Sequence, residues 1–251
     1  MKSLIIGNGQ IGSALFEIFS KVHETSIRDI EPLHLEGVEA LHIAYPFSDE
    51  FVTQTLAYID EYKPRLTMIH SSVPIGTTEK CGDHVLHTPE RGRFPNLSRQ
   101  MVYFKKFIGG FDQYDLKLAY DYFEACSWNV YVLFDPKITE SLKLISNAHM
   151  GLEIAWRQEV ERMGIDKLAY ENWEDSYFDG YVYFGEMNLI RPRMKSQPIG
   201  GHCILPCVEM LSQSFDSPLL KSIGESNVLA QRKVAQESIG GNGKPVAVSH
   251  R

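Results

Sequence analysis

The chain has only four cysteines, Cys81, Cys126, Cys203 and Cys207, too few and too scattered for a disulfide framework. It has no apolar run long enough to span a bilayer, and no charged segment with an apolar core precedes its first strand. Nor does it have an excess of basic residues: 25 Lys and Arg stand against 32 Asp and Glu, a formal charge of −7. The first two absences predict reduced thiols and a cytoplasmic protein with no membrane role. The third argues against a nucleic-acid partner or an anionic membrane surface held by bulk charge, while leaving room for a local phosphate pocket. With 43% hydrophobic residues, the 251-residue chain supports a packed core in one large or two small domains.

The N-terminus carries the first chemical signal. Ser3-Leu4-Ile5-Ile6 is a short apolar strand leading into Gly7-Asn8-Gly9-Gln10-Ile11-Gly12, and Ala14, Leu15, Ile18 and Phe19 then recur at helical spacing. Strand, glycine turn and helix together form a dinucleotide-binding fingerprint. The first glycine permits the tight turn, the second admits a pyrophosphate to the backbone, and the third allows close helix–strand packing. Asp29 falls where a carboxylate ends the second strand and accepts the adenosine ribose hydroxyls. This predicts NAD rather than NADP, a preference that the neighbouring Arg28 weakens.

Strand and helix then alternate. Strands are predicted at Ala40–Ala44, Leu66–Ile69, Lys106–Ile108 and Val130–Leu133, with helices over Phe51–Tyr62 and Tyr114–Cys126. The expected fold is α/β: an N-terminal Rossmann-type, doubly wound parallel sheet followed by a mostly helical domain built on a long helix. The corresponding domains are residues 1–135, 136–238 and a flexible tail, 239–251. Ser71 to Thr78 sits at a strand end, where Thr77 and Thr78 are expected to cap the next helix and Ser72 to cap or to touch substrate. Glu90, in the polar loop His87–Arg91, reads as a solvated carboxylate or an acid–base group. His84 and His87 have metal-ligand spacing but lack clustered partners, and no metal site is predicted.

The long helix is expected over Ile138–Met163, with an apolar stripe of Leu142, Ile145, Leu152, Ile154 and Val160. Glu140, Lys143 and Asn147 share roughly one face, so Lys143 and Asn147 could bind one substrate oxygen together or form part of a solvated face. Trp156 and Trp173 read as packing residues, and Tyr170–Tyr183 as irregular or short helices. Late in the chain, Ile199-Gly200-Gly201-His202-Cys203-Ile204 sets a nucleophilic side chain behind two glycines.

Taken in order, these motifs resemble the UDP-glucose/GDP-mannose dehydrogenase family. The resemblance runs from the glycine turn through Ser71–Thr77, Thr88-Pro89-Glu90-Arg91 and the helix with Lys143 and Asn147 to Gly200–Ile204, its most specific element. It implies a cytoplasmic, homodimeric NAD-dependent oxidoreductase that oxidises a sugar-nucleotide alcohol to the acid in two hydride transfers. Cys203 would be the nucleophile, forming a thiohemiacetal and then a thioester. Lys143 and Asn147 would stabilise the oxyanion, Ser72 would position water, and Glu90 would assist hydrolysis. Gly7, Gly9, Gln10, Ile11, Gly12 and Asp29 would hold NAD.

Two departures accompany the resemblance. Cys207 stands where the family has an aspartate, and a thiol does not replace a carboxylate acceptor at neutral pH. Thioester hydrolysis or the first oxidation thereby loses a group. Cys203 and Cys207 could also form a redox-sensitive pair. The chain is also short, reading as a form without the C-terminal nucleotide-sugar-binding domain. The alternatives are a two-electron β-hydroxyacid-type dehydrogenase using Lys143, and a non-catalytic NAD-binding protein.

Overall fold

The apolar run after Lys2 forms β1 (Lys2–Ile6), buried from Ser3 onward, as expected of a central strand covered on both faces. The computed structural model describes residues 1–240. A seven-stranded sheet assembles around β1 from β2 (Glu24–Arg28), β3 (Ala40–Ile43), β4 (Leu66–Ile69), β5 (Val85–His87), β6 (Lys106–Gly109) and β7 (Val130–Leu133). Its order is β2-β1-β3-β4-β5-β6-β7. The neighbours are parallel except β5 and β6, which meet antiparallel at His87 and Gly109. Strand order reverses between β1 and β3, the crevice where open α/β sheets bind ligands.

Five helices alternate with the strands: α1 (Gln10–Phe19), α2 (Phe51–Tyr62), α3 (Thr77–Cys81), α4 (Leu97–Tyr103) and α5 (Gln113–Ala125). Residues of α1, α4 and α5 share one core with Ile5, Met68 and Leu86, and residues of α2 and α3 share the other with Leu4, Ile6, Leu41 and Ile43. The doubly wound expectation therefore holds. Phe19 is fully buried, with its ring 4.6 Å from His42, 5.1 Å from Tyr122 and 5.6 Å from Trp128.

The first compact unit is Met1–Ile145, and the second begins at Ser146. The boundary falls within the long helix α6 (Pro136–Arg162). The second unit continues with α7 (Lys167–Phe184), a 3-10 turn (Met187–Leu189), α8 (Ile204–Ser212) and α9 (Pro218–Gly240). Residues 241–251, most of the expected tail, lie outside the described residues.

Three expectations are corrected. Of the expected stripe on α6, Leu142 and Ile145 are 42% and 50% exposed and Val160 is buried; in the second unit, α6 is buried along Ala148, Gly151, Ala155, Gln158 and Val160. Small residues make this seam because Ile204 of α8 and Ile223 of α9 close onto Gly151. Tyr170–Tyr183 is neither irregular nor a set of short helices but lies within one 18-residue helix, α7, which is capped by the Asp166 side chain on the Ala169 N–H (2.7 Å) and ends at Gly185 in the left-handed region. None of its residues is fully buried, so it shows no apolar period. Trp156, on the outer side of α6, and Trp173, on α7, are exposed rather than packing residues.

Phe19→Ala should cost about 3–5 kcal/mol, the range for emptying a well-packed aromatic site. Urea unfolding followed by circular dichroism measures this, and a cost below about 1 kcal/mol would mean that the ring cluster is dispensable.

Candidate functional site

The glycine turn is built as a backbone cradle. Gly7 has φ +104°, and a Cβ there would sit 3.0 Å from the Ala44 and Tyr45 backbone; one on Gly12 would overlap the Gly7 carbonyl at 1.8 Å. Gly9, by contrast, faces open space: a Cβ built there meets nothing within 4 Å. Gly9 is the N-cap of α1 and carries no side-chain cap, so the first N–H groups of the helix are left for a ligand. The Gly7 N–H donates to the Arg28 carbonyl at 2.7 Å, and the Asn8 N–H donates to Asp29 Oδ1 at 3.3 Å. An open helix N-terminus with an exposed carboxylate beside it fits a pyrophosphate and a ribose diol.

Glu90 is not a solvated loop carboxylate. It is 3% exposed and ion-paired with Lys106, which is equally buried. His70 Nδ1 lies 2.6 Å from the same carboxylate oxygen, so Nδ1 carries the donated proton. The remaining tautomers follow. His70 Nε2 accepts from His42 Nδ1 at 3.0 Å, and His42 Nε2 accepts from the Tyr122 hydroxyl at 3.0 Å. Ser3 Oγ, 2.8 Å from the Tyr122 oxygen, completes the line by donating to it. Every donor in this buried chain is aimed towards Glu90. Burial would raise the Glu90 carboxyl, but Lys106 and the His70 N–H hold it down at about 2. Burial and Lys106 push His70 down to about 4, and burial pushes His87 to about 3.

Lys143 Nζ donates to the Glu90 backbone carbonyl at 2.8 Å, so the structure brings these two predicted residues together through the main chain. Glu140, on the same helix, turns instead to α3. It accepts the Gly76 N–H at 2.5 Å, and the Thr78 N–H and hydroxyl at 2.8 and 2.6 Å. The capping expectation is thus corrected: Gly76 is the N-cap, the Thr77 hydroxyl donates to the Pro74 carbonyl, and Thr78 is itself bound by Glu140. Ser72 is half-buried just after β4. His84 pairs with Asp115, while both His87 nitrogens are engaged, by Thr139 Oγ1 and the Ser71 carbonyl.

In the second unit, Cys203 is exposed and forms the N-cap of α8. Cys207 is buried one turn on, and its sulfur accepts from Asn147 Nδ2 at 3.1 Å. His42, His70 and Lys106 escaped the sequence reading. The one visible signal was a lysine and two histidines within or just after strands, where apolar residues belong.

No protein-family model matches the chain. It is 26% identical over 159 residues to the UDP-N-acetyl-D-mannosamine dehydrogenase of Methanococcus vannielii, covering 61% of this chain and 35% of that protein. Its fold matches the UDP-D-ManNAc dehydrogenase from Pyrococcus horikoshii with a TM-score of 0.72, over 95% of this chain and 71% of that one, at 17% identity. It also matches a 3-hydroxyisobutyrate dehydrogenase of Mycobacterium tuberculosis with a TM-score of 0.63, covering 94% of each chain at 13% identity. The chain thus spans 35% of the length of the Methanococcus relative. The sheet, its switch point and the glycine turn are those of a Rossmann-type dehydrogenase fold. In sequence the chain is similar to part of a nucleotide-sugar dehydrogenase, and in fold to a nucleotide-sugar and a hydroxyacid dehydrogenase.

The buried network sets a pH dependence. Unfolded histidine binds a proton near 6.5, whereas His70 and His87 in the folded protein resist until about 4 and about 3. The unfolded state therefore holds more protons in this window, and stability present above pH 6.5 is lost as pH falls through it. The Glu90 contribution, present above about 4.5, goes as pH falls towards 2. Urea midpoints between pH 8 and 4 should decline steadily below 6.5; a flat profile would mean that the histidines are not held neutral. Lys106→Met should cost about 3–5 kcal/mol by leaving the carboxylate unpaired, and Glu90→Gln in that background should restore part of it.

Proposed function

We propose that the chain binds NAD at the glycine turn and oxidises an alcohol of a sugar-nucleotide-like substrate, with Cys203 as covalent nucleophile. The observation that carries this reading is the open α1 N-terminus at Gly9 beside the Asp29 carboxylate. The N–H groups of Gln10 and Ile11 hold the pyrophosphate, and Asp29 takes the ribose hydroxyls. NAD, when bound, supplies the hydride acceptor.

The chain's own residues do the rest. Lys143, anchored on the Glu90 carbonyl, and Asn147 stabilise the oxygen of the reacting carbon. Loss of hydride from the alcohol carbon and of the hydroxyl proton first gives an aldehyde; the Cys203 sulfur attacks its carbon, a C–S bond forms, and the carbonyl π pair goes to oxygen, which takes the proton the thiol gives up. Loss of hydride from that carbon and of the hydroxyl proton leaves a thioester. Water, positioned by Ser72, then adds to the carbonyl and the thiol departs with a proton, freeing the acid. Glu90 acts through its main chain rather than as a free base, because its carboxylate is committed to Lys106 and His70.

A second reading is a single two-electron oxidation with Lys143 as acid–base group. It is favoured by Cys207, which occupies Asn147 where a carboxylate would otherwise work. The exposed apolar side chains of α7, Leu168, Trp173, Phe178 and Val182, support a homodimer; a monomer in sedimentation equilibrium would remove that part.

Calorimetric titration with NAD, then with UDP-sugars in its presence, tests the reading. In turnover assays, Cys203→Ser should retain NAD binding and lose acid formation. Two NADH per substrate supports the covalent route, and one supports the second reading. NAD binding without turnover on a panel of sugar nucleotides and small alcohols would leave a non-catalytic NAD-binding protein.

A further inference from the structure

β2 ends in two residues of opposite charge, Arg28 and Asp29, directly beside the glycine turn. They are held very differently. Asp29 is exposed and engages the turn through the Asn8 N–H. The Arg28 side chain is 10% exposed and turned onto α2. Its Nη1 donates to both oxygens of Glu61, at 2.8 and 2.9 Å, and to the Tyr62 hydroxyl. Its guanidinium carbon lies 5.0 Å from the Tyr58 ring centre and 5.7 Å from that of Tyr62. Tyr62 is fixed in turn by donating to the Leu33 carbonyl at 2.6 Å. Arg28 Nε is buried with no partner, so Glu61 and the two tyrosines set the place of the guanidinium at the expense of one of its own donors.

An arginine near the second-strand carboxylate is the group that would accept a 2′-phosphate and reverse the preference imposed by the acid. Here its charge is already matched. Arg28 is paired with Glu61, while the neighbouring Asp29 carboxylate stays exposed at the turn. A phosphate monoester, carrying roughly −1.5 to −2 charges at neutral pH, would meet the Asp29 carboxylate with the Arg28 charge already matched, whereas an uncharged ribose diol donates hydrogen bonds to that carboxylate. We propose that Glu61, acting through Arg28, is a selectivity-determining residue that keeps the turn a site for NAD and excludes NADP. This rests on the cofactor reading above.

Titrating NAD and NADP separately into the full chain tests it by equilibrium binding. NADP should bind the wild type much more weakly than NAD. Glu61→Gln keeps the shape and removes the charge, and Glu61, 40% exposed, is a mild place to do so. This change should move the NADP-to-NAD affinity ratio about tenfold towards NADP, as expected for one close charge removed from beside a phosphate. Glu61→Ala, which also removes the acceptor, should move it the same way. Arg28→Met placed in the Glu61→Gln background should cancel the gain, since Arg28 is the agent. An unchanged ratio in both Glu61 variants with NAD still bound overturns the proposal, as does a gain that survives Arg28→Met. If neither dinucleotide binds the wild type, the cofactor reading fails first and takes the proposal with it.

Discussion

The first unit is organised around one buried negative charge. Glu90 lies where solvation is lost, and an isolated carboxylate there would cost several kcal/mol. Lys106, from β6, supplies the counter-charge, and a line of donors from β1, α5, β3 and β4 supplies the hydrogen bonds. Each member has one tautomer or rotor direction that satisfies its neighbours, so the network fixes the relative positions of five elements. It also fixes the Glu90 carbonyl, to which Lys143 is tied. The Lys143 turn of α6 is thus indexed to the sheet through a main-chain atom, and the carboxylate a chemist would first enlist as a base is consumed in holding it there.

That arrangement bears on how the family pattern is carried in this chain. Two side chains that the resemblance assigns to water handling are diverted: Glu90 to an ion pair, and the aspartate position to the Cys207 thiol that receives Asn147. The glycine turn, by contrast, keeps its helix N-terminus open with a carboxylate beside it. In the proposed reaction, cofactor capture and acyl hydrolysis draw on separate groups, and only those proposed for the second lose a free carboxylate.

Much of the fold was legible in the sequence, because the strands are short unbroken β-favouring runs and the glycine turn follows the first of them. α2 matches its expected range to the residue. What was not legible depended on partners far away in the chain. Thr78 looked like a cap, but it answers to Glu140, sixty-two residues on. Glu90 looked solvated because its counter-ion comes sixteen residues later on another strand. The stripe read from Leu142 and Ile145 followed side-chain size, whereas close helix contact in the second unit selects small residues, Ala148, Gly151 and Ala155, which carry little hydrophobic signal. α7 was missed because a helix with no fully buried residue shows no period, although its two caps were readable.

The placement of the three tryptophans has an optical consequence. Trp128 is 3% exposed in the core of the first unit, with its indole N–H donated to the Met101 carbonyl. Trp156 and Trp173, both in the second unit, are 53% and 62% exposed. Emission from the first unit is therefore blue and shielded from aqueous quenchers, and emission from the second is red and accessible. The chain carries its own two-colour report on which half unfolds, binds or becomes covered, with no label added.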